Sequence, residues 1–208
     1  MENLAVDIKK KFLHMYKKLI HLSYTKWLLL AGIAICIFAL IFGICSSRTI
    51  PTDLMPIINK EARNFGIDPL FLASIIQAES SGRVKVISQR GACGLMQLMP
   101  ATAEELAKEL KMKYHRSDLF YPEINIRLGT YYIYKLLRRF NNNTAIALAA
   151  YNTGPTRVAR WLRESPNQNF FTILKQKGSK ETISYVYKIL NDYNQRKNLQ
   201  HKTKLKNN

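Results

Sequence analysis

Cysteine and histidine are scarce in this 208-residue chain. It has 3 cysteines, of which Cys36 and Cys45 lie in a single long apolar run, so that Cys93 has no disulfide partner in the remainder of the chain. The 4 histidines are scattered, and no group of Cys and His has the spacing of metal ligands. The sequence therefore predicts neither a disulfide framework nor a metal site, and we expect no cofactor.

Acidic residues are also few. The chain has 14 Asp and Glu against 32 Lys and Arg, which gives a net charge of +18. A basic excess of this size indicates a polyanionic partner. Nucleic acid, lipid headgroups and the carboxylates of a bacterial cell wall all meet that description.

One uncharged apolar run, residues 27–45, is long enough to cross a membrane. As a helix it would span roughly 28 Å, close to the thickness of the hydrocarbon layer. Residues 1–26 form a lysine-rich leader, whereas Arg48 is the one basic residue shortly after the run. The positive-inside rule then predicts a cytoplasmic N-terminus, a single-pass anchor in the bacterial inner membrane and a periplasmic domain. Because most of the charge is exported, we expect no nucleic-acid partner; a cleaved signal peptide would have a shorter leader.

Helical patterns fill the rest of the chain, and no segment reads convincingly as a strand, so the predicted class is all-α. Residues 46–52 are a linker, 53–193 form the domain, and the basic segment 194–208 is predicted to be flexible. Gly66 ends one helix, and Asp68 followed by proline begins the next. Helices are predicted at residues 52–65, 70–81, 101–112, 123–140, 144–151, 156–163 and 179–192.

Glu79 is the residue that most requires an explanation. Ile76, Ile75 and Leu72 precede it at helical spacing, so it lies on an apolar stripe in the last turn of a helix. Burial and the negative end of the helix dipole both favour the neutral acid, which predicts a raised pKa and a proton donor for glycosidic bond cleavage. The alternative is a structural glutamate, partly exposed or paired with a lysine such as Lys60.

From Glu79 onward the sequence resembles the catalytic domain of the lytic transglycosylases related to goose-type lysozyme. Four ordered elements over about residues 53–192 carry the resemblance: E-S with a serine nine positions after the glutamate and then G-A-x-G-L-M-Q, followed by N-x-x-x-G, A-Y-N-x-G-P and E-T-x-x-Y-V. The family usually has an aromatic residue and a proline where this chain has Gly82 and Val84, which predicts a more mobile loop. The matching residues are Glu79, Ser80, Ser88, Gly91, Ala92, Gly94, Leu95, Met96, Gln97, Pro100, Asn125, Gly129, Ala150, Tyr151, Asn152, Gly154, Pro155, Glu181, Thr182, Tyr185 and Val186.

The resemblance implies a lysozyme-like helical domain that cleaves peptidoglycan glycan strands with Glu79 as its single acid and base. In that family the glutamate protonates the leaving oxygen and then takes a proton from the C6 hydroxyl of N-acetylmuramic acid (MurNAc), which closes on C1 to give a 1,6-anhydro end. Residues 80–103 contain no second acid, which fits a substrate that supplies its own nucleophile; Glu104, Glu105 or Glu181 could be a second carboxylate only through folding. The resemblance implies substrate-binding roles for Ser88, Met96, Gln97, Tyr151, Asn152, Glu181 and Tyr185.

Each of these residues also has a purely structural interpretation. Gln97 could cap the backbone, Asn152 could be a turn residue, and Met96 and the tyrosines could simply pack in the core. The alternative functions are a hydrolase of the same fold, a non-catalytic wall-binding scaffold and a membrane-attached nucleic-acid binder. The expected partners are glycan strands and the inner membrane, with an envelope-spanning assembly machinery as a further candidate.

Overall fold

The computed structural model describes Lys26, Trp27, Leu29, residues 31–34 and residues 50–206. The chain divides into two units, Met1–Arg48 and Thr49–Asn208. In the first unit the described residues are helical, but most of the predicted anchor at residues 27–45 lies outside the described residues. Among those that are described, no helix is both long and apolar enough to cross a bilayer. The anchor stays a prediction.

The described part of the second unit is all-α, as the sequence predicts. Eight α-helices and two short 3-10 turns are present there, and pairing of the β type is limited to isolated bridges that Cys93 makes with Ile87 and Leu98. The helices are α1 Met55–Phe65, α2 Pro69–Ser80, α3 Pro100–Glu109, α4 Pro122–Arg139, α5 Thr144–Thr153, α6 Pro155–Glu164, α7 Phe170–Lys177 and α8 Lys180–Lys206, with 3-10 turns at Thr52–Leu54 and Arg116–Phe120.

Helix α2 is the central element, and local sequence sets both of its ends. The Asp68 carboxylate accepts a hydrogen bond of 2.8 Å from the Leu70 amide, and proline occupies the first helical position. The helix ends at Ser81, which is in the left-handed conformation with φ of 55°. Every residue from 71 to 77 is buried, because α2 packs against α1 and α8 within the larger apolar core. The predicted start of this helix is confirmed.

Two apolar clusters hold the helices together. The larger one surrounds α2 and takes buried side chains from α1 and from α4 to α8. The smaller one joins α3 to α4 and includes Cys93 and Leu98 from the segment between α2 and α3. Each buried leucine or isoleucine contributes roughly 1.5–3 kcal/mol, so the second cluster fixes a segment that has little regular structure of its own.

Two features of the C-terminal region differ from the sequence prediction. The sequence predicts a loop where the structure has α7. This short helix is capped by Asn169, whose side chain accepts a hydrogen bond of 2.9 Å from the Phe171 amide. The end predicted for the last helix at residue 192 is wrong, and the segment predicted to be flexible is helical as far as Lys206. No glycine or proline follows Gly178, so nothing in the sequence stops this helix.

Candidate active site

The Glu79 carboxyl lies in the last turn of α2 and is largely shielded from solvent. Burial is the main cause that raises its pKa from 4.5 to about 7, and the negative charge of Glu181 adds to the rise, whereas Tyr185 and Lys188 oppose it. The raised pKa predicted from the sequence is confirmed. Among the described residues the hydrogen-bond partner of Glu79 is Tyr185, and it is not Lys60.

Tyr185 extends from α8 to the carboxyl and donates a hydrogen bond of 2.6 Å to Glu79 Oε1. Burial raises the pKa of Tyr185 well above its ordinary value, with the nearby Glu79 charge as the second cause, so the phenol keeps its proton and remains a donor. A short hydrogen bond to one carboxylate oxygen fixes the orientation of the carboxyl plane. Among the described residues no hydrogen bond to the other oxygen, Oε2, accompanies it.

Tyr151 supports the loop after α2 and does not contact Glu79 through a hydrogen bond. Its phenol donates a bond of 2.8 Å to the Met96 carbonyl, and its ring packs on Tyr132 with the ring centroids 5.0 Å apart. Burial raises the pKa of Tyr151 well above its ordinary value, which keeps this donor protonated as well. The ring of Tyr151 lines the same cavity as Glu79.

The loop that carries Ser88 closes on itself in a tight turn. Ser88 Oγ accepts a hydrogen bond of 3.0 Å from the Ala92 amide, and the two backbones exchange a further bond of 2.9 Å. Gly91 has a φ of 85°, a conformation in which a side chain would be strained. The turn therefore presents the Ser88 hydroxyl at the cavity wall in a fixed place.

Asn125, from α4, fixes the next part of the loop. It is completely buried; its oxygen accepts from the Met96 amide at 2.8 Å, and its nitrogen donates to the carbonyls of Cys93 and Leu119 at 3.0 and 2.8 Å. A Cβ at Gly94 would overlap this amide, so only glycine allows the approach. From the sequence, Asn125 could be recognised as part of a motif but not as the residue that holds the loop.

Gln97 combines the structural and the functional interpretations. Its amide nitrogen donates to the carbonyls of Gly94 and Val86 at 2.8 and 3.3 Å, so it braces the loop as the capping alternative expects. Its backbone is in the left-handed region with φ of 48°, which is unusual for a residue with a side chain. The side chain nevertheless lines the cavity beside Glu79.

The far wall of the cavity is formed by residues at the end of α5 and the start of α8. Thr182 donates a hydrogen bond of 2.8 Å from its hydroxyl to Asn152 Oδ1 and so links the two helices. Glu181, the preceding residue, lies 3.5 Å from the guanidinium of Arg90, and both side chains are mostly exposed. This pair spans the cavity mouth from α8 to the loop.

These groups enclose a cavity of about 480 Å³. Six of the eight predicted site residues line it, and Tyr185 acts on it through its bond to Glu79. Met96 is the exception: its side chain is fully buried against Gly129 and does not line the cavity, which favours the packing interpretation. The lining residues are Glu79, Ser88, Gln89, Arg90, Ala92, Gln97, Met99, Tyr151, Asn152 and Glu181.

Gln89, Arg90 and Met99 were not predicted as site residues. Gln89 and Arg90 occupy the two unspecified positions between Ser88 and Gly91, so their place inside a recognised motif was the one signal that the sequence offered. Of the carboxylates proposed as possible partners of Glu79, folding brings Glu181 to the cavity. Among the described residues no group of three His, Cys, Asp or Glu side chains is arranged to hold a metal ion.

Comparison with known proteins finds one matching family and several individual relatives. The family described as "Transglycosylase SLT domain" matches residues 56–174. This range includes Glu79, the loop and Asn152, and it ends before Glu181 and Tyr185. The contribution of α8 to the site therefore rests on the structure.

Individual relatives are longer proteins. The chain is 35% identical over 143 residues to the soluble lytic murein transglycosylase of Salmonella typhimurium, covering 67% of this chain and 22% of the relative. It is 31% identical over 146 residues to the membrane-bound lytic murein transglycosylase C of Actinobacillus succinogenes, covering 65% and 39%. The solved structure of an inactive mutant of the lytic transglycosylase Slt from Pseudomonas aeruginosa matches with a TM-score of 0.63 and 34% identity, covering 68% and 24%. The chain thus spans about a fifth of the length of the first curated relatives.

Proposed function

The chain belongs to the transglycosylase SLT domain family, and from this we propose that it is a peptidoglycan lytic transglycosylase with Glu79 as its acid and base. The observation that carries the proposal is a single shielded carboxyl with a pKa of about 7, held by one phenol at the wall of a cavity of about 480 Å³. A carboxyl with that pKa is present in both protonation states near neutral pH. It can therefore donate a proton in one step and accept one in the next.

In the first step the protonated Glu79 donates to the glycosidic oxygen between MurNAc and the adjoining N-acetylglucosamine, and the bond to C1 breaks. The new carboxylate stays stable because Tyr185 donates a hydrogen bond of 2.6 Å to it and the positive charge of Lys188 favours it. The same two groups lower the pKa of Glu79 and so oppose the effect of burial. Because these two groups offset part of the effect of burial, the pKa of Glu79 stays near neutral.

In the second step the Glu79 carboxylate takes the proton of the C6 hydroxyl, and O6 bonds to C1 to form the 1,6-anhydro ring. The atoms balance without water, because the departing sugar keeps the proton that Glu79 gave and Glu79 regains one from O6. Neither step needs a metal ion. The polar groups of Ser88, Gln97 and Asn152 would bond the sugar hydroxyls and acetamides.

A hydrolase is the second candidate, and Glu181 is the observation that favours it. Hydrolysis requires an activated water, for which a second carboxylate is the usual base, and Glu181 lines the same cavity as Glu79. Glu181 is mostly exposed, and its carboxylate lies 3.5 Å from the guanidinium of Arg90. This arrangement suits a substrate contact better than a general base.

We also propose that the domain works in the periplasm and is tethered to the inner membrane by residues 27–45. The apolar run, the lysine-rich leader and the likeness to a relative named membrane-bound support this proposal. A tether would restrict cleavage to wall close to the membrane, where wall synthesis and envelope-spanning machines operate. A reporter that is active only in the periplasm, fused after Asn208, should be active; an inactive reporter would contradict the topology.

The mass of the cleavage products tests the proposed reaction. Purified sacculi digested with the wild-type chain should yield muropeptides with anhydro ends, which are lighter by one water molecule than reducing ends. The Glu79→Gln variant should yield none, and the matched Glu105→Gln variant, which changes an exposed glutamate outside the cavity, should behave as wild type. Reducing ends in place of anhydro ends would establish the hydrolase, and cleavage by Glu79→Gln would remove Glu79 from the mechanism.

A further inference from the structure

A second cavity, of about 540 Å³, lies at the start of α6. Arg157, Arg160 and Arg163 line it and are all exposed; we call these three residues the arginine face. The opposite side of α6 is buried through Val158 and Trp161, which anchors the helix and holds the arginine face towards solvent. The spacing of three residues places successive guanidinium groups on neighbouring turns.

The positive charge of the arginine face is hardly neutralised within the described chain. Arg157 donates a hydrogen bond of 3.0 Å to the Thr153 hydroxyl, which carries no charge. Glu164 is the one acidic residue on α6. Its carboxylate lies 4.0 Å from Arg160 but 2.6 Å from Lys177, so it pairs mainly with that lysine. The cavity therefore offers guanidinium groups to an external anion.

The second cavity adjoins the proposed catalytic cavity along the chain. Tyr151 and Asn152 line the catalytic cavity, and the next two residues, Thr153 and Gly154, line the cavity of the arginine face. Consecutive Cα atoms are about 3.8 Å apart, so the linings of the two cavities meet between Asn152 and Thr153.

We propose that the arginine face binds carboxylates of the stem peptides that project from a glycan strand lying in the catalytic cavity. This inference rests on the proposed function, which supplies the strand. Each guanidinium presents a planar fork of donors that matches the two oxygens of a carboxylate, and a peptide-bearing strand carries such carboxylates at each muramyl residue. The arginine face would thus select strands that still carry peptides, and it would do so without contacting the bond that is cleaved.

Measuring the binding of glycan strands to a catalytically inactive chain tests this selection without interference from cleavage. The 208-residue chain with Glu79→Gln would be titrated with labelled soluble glycan strands of equal length, either with stem peptides or stripped of them by an amidase. Replacement of the whole arginine face by glutamine should raise the Kd for peptide-bearing strands by about tenfold or more, because charge-assisted hydrogen bonds are lost. The amidase leaves one lactyl carboxylate on each muramyl residue but removes every peptide carboxylate. The Kd for stripped strands should therefore rise by less than about twofold.

A matched variant controls for the loss of three positive charges from a strongly basic chain. Arg116, Arg127 and Arg138 are exposed and line neither cavity, so their replacement by glutamine removes the same charge elsewhere. This control should weaken binding of both kinds of strand slightly and equally, since only long-range attraction is lost. Circular dichroism and unfolding midpoints of both variants should match the parent, because all the changes are on the surface.

Three results would overturn the proposal. They are an unchanged Kd for peptide-bearing strands, an equal loss for stripped strands, and an equal loss in the control variant. Failure of the proposed function looks different: the parent chain would bind neither kind of strand and the wild type would cleave no wall, which also removes the basis for the arginine face. Cleavage by the wild type together with an unaffected arginine-face variant would refute the arginine face alone.

Discussion

Replacement of Glu79 by glutamine should abolish catalysis and make the folded chain more stable, by an amount that depends on pH. The wild-type carboxyl has a pKa of about 7 in the folded chain and 4.5 as its ordinary value. Between these two pH values the folded state keeps a proton that the unfolded state has released, so the free energy of unfolding falls as pH rises. Below this window both states are protonated, and above it both are ionised.

The size of the effect follows from the shift. The difference between about 7 and 4.5 is about 2.5 pKa units, and at about 1.36 kcal/mol per unit this costs the wild type about 3 kcal/mol once the window is passed. Glutamine does not titrate, and its amide oxygen can still accept the hydrogen bond from Tyr185. The advantage of Glu79→Gln over wild type should therefore grow by about 3 kcal/mol between about pH 4 and about pH 8.

Denaturant unfolding at several pH values measures this difference directly. Trp161 is buried, with 5% of its surface exposed, and its fluorescence should report unfolding of the helical unit. The other tryptophan, Trp27, lies in the first unit, and a Trp27→Phe background would leave Trp161 as the only indole. Glu105→Gln, measured in parallel, is the control for replacement of an exposed glutamate outside the cavity.

A constant difference across the pH range would refute the reasoning. It would mean that Glu79 has the same pKa in the folded and unfolded chain, so that burial does not hold the proton. A difference that shrinks with rising pH would mean that the carboxylate is the favoured form in the folded chain. In either case the proton donor of the proposed mechanism would have no physical basis. The expected result, by contrast, would show that the buried, protonated Glu79 carboxyl lowers the stability of the folded chain near neutral pH.

Two further predictions concern the neighbours of Glu79 and the packing beneath the loop. Tyr185→Phe removes a hydrogen bond that lowers the pKa of Glu79, so the alkaline limb of the kcat/KM profile should move up by about one pH unit. Glu181→Gln removes a negative charge that raises the pKa of Glu79, so the same limb should move down. Shifts of both variants in the same direction would contradict the assignment. Gly129→Ala places a methyl group against the fully buried Met96 and should lower the free energy of unfolding by about 1–3 kcal/mol. Denaturant unfolding measures this change. A variant more stable than wild type would show that the core accommodates the methyl group.

Sequence reasoning was successful where the determinants lie close together along the chain. Asp68 and the following proline set the start of α2, and the apolar residues before Glu79 place its carboxyl on a buried stripe. Helical spacing and local hydrogen bonds are sufficient for both inferences. The direction of the pKa shift follows as well, because burial of Glu79 is its main cause and the apolar stripe already indicates that burial.

The partners of the site could not be predicted in the same way. Tyr185 is 106 residues from Glu79, and its place in the E-T-x-x-Y-V element singles it out among eleven tyrosines. No local pattern decides, however, whether its side chain packs in the core, contacts a sugar or holds Glu79. Met96 was expected at the substrate because it belongs to a motif, yet the motif position serves packing against Gly129. Such roles depend on which helices meet, and a single sequence does not contain that information locally.

The ties to α8 have a consequence for the extent of the functional domain. Tyr185 holds Glu79, Thr182 holds Asn152 and Tyr193 donates a hydrogen bond of 2.7 Å to Asp68, so α8 fixes both ends of α2 and the far wall of the cavity. The family match ends at residue 174, before any of these donors. Without α8, the Glu79 carboxyl would lose its donor and much of the surface that shields it, and its pKa would return towards 4.5, since burial is the main cause of the rise. The unit that performs the proposed chemistry must therefore extend at least to Tyr193.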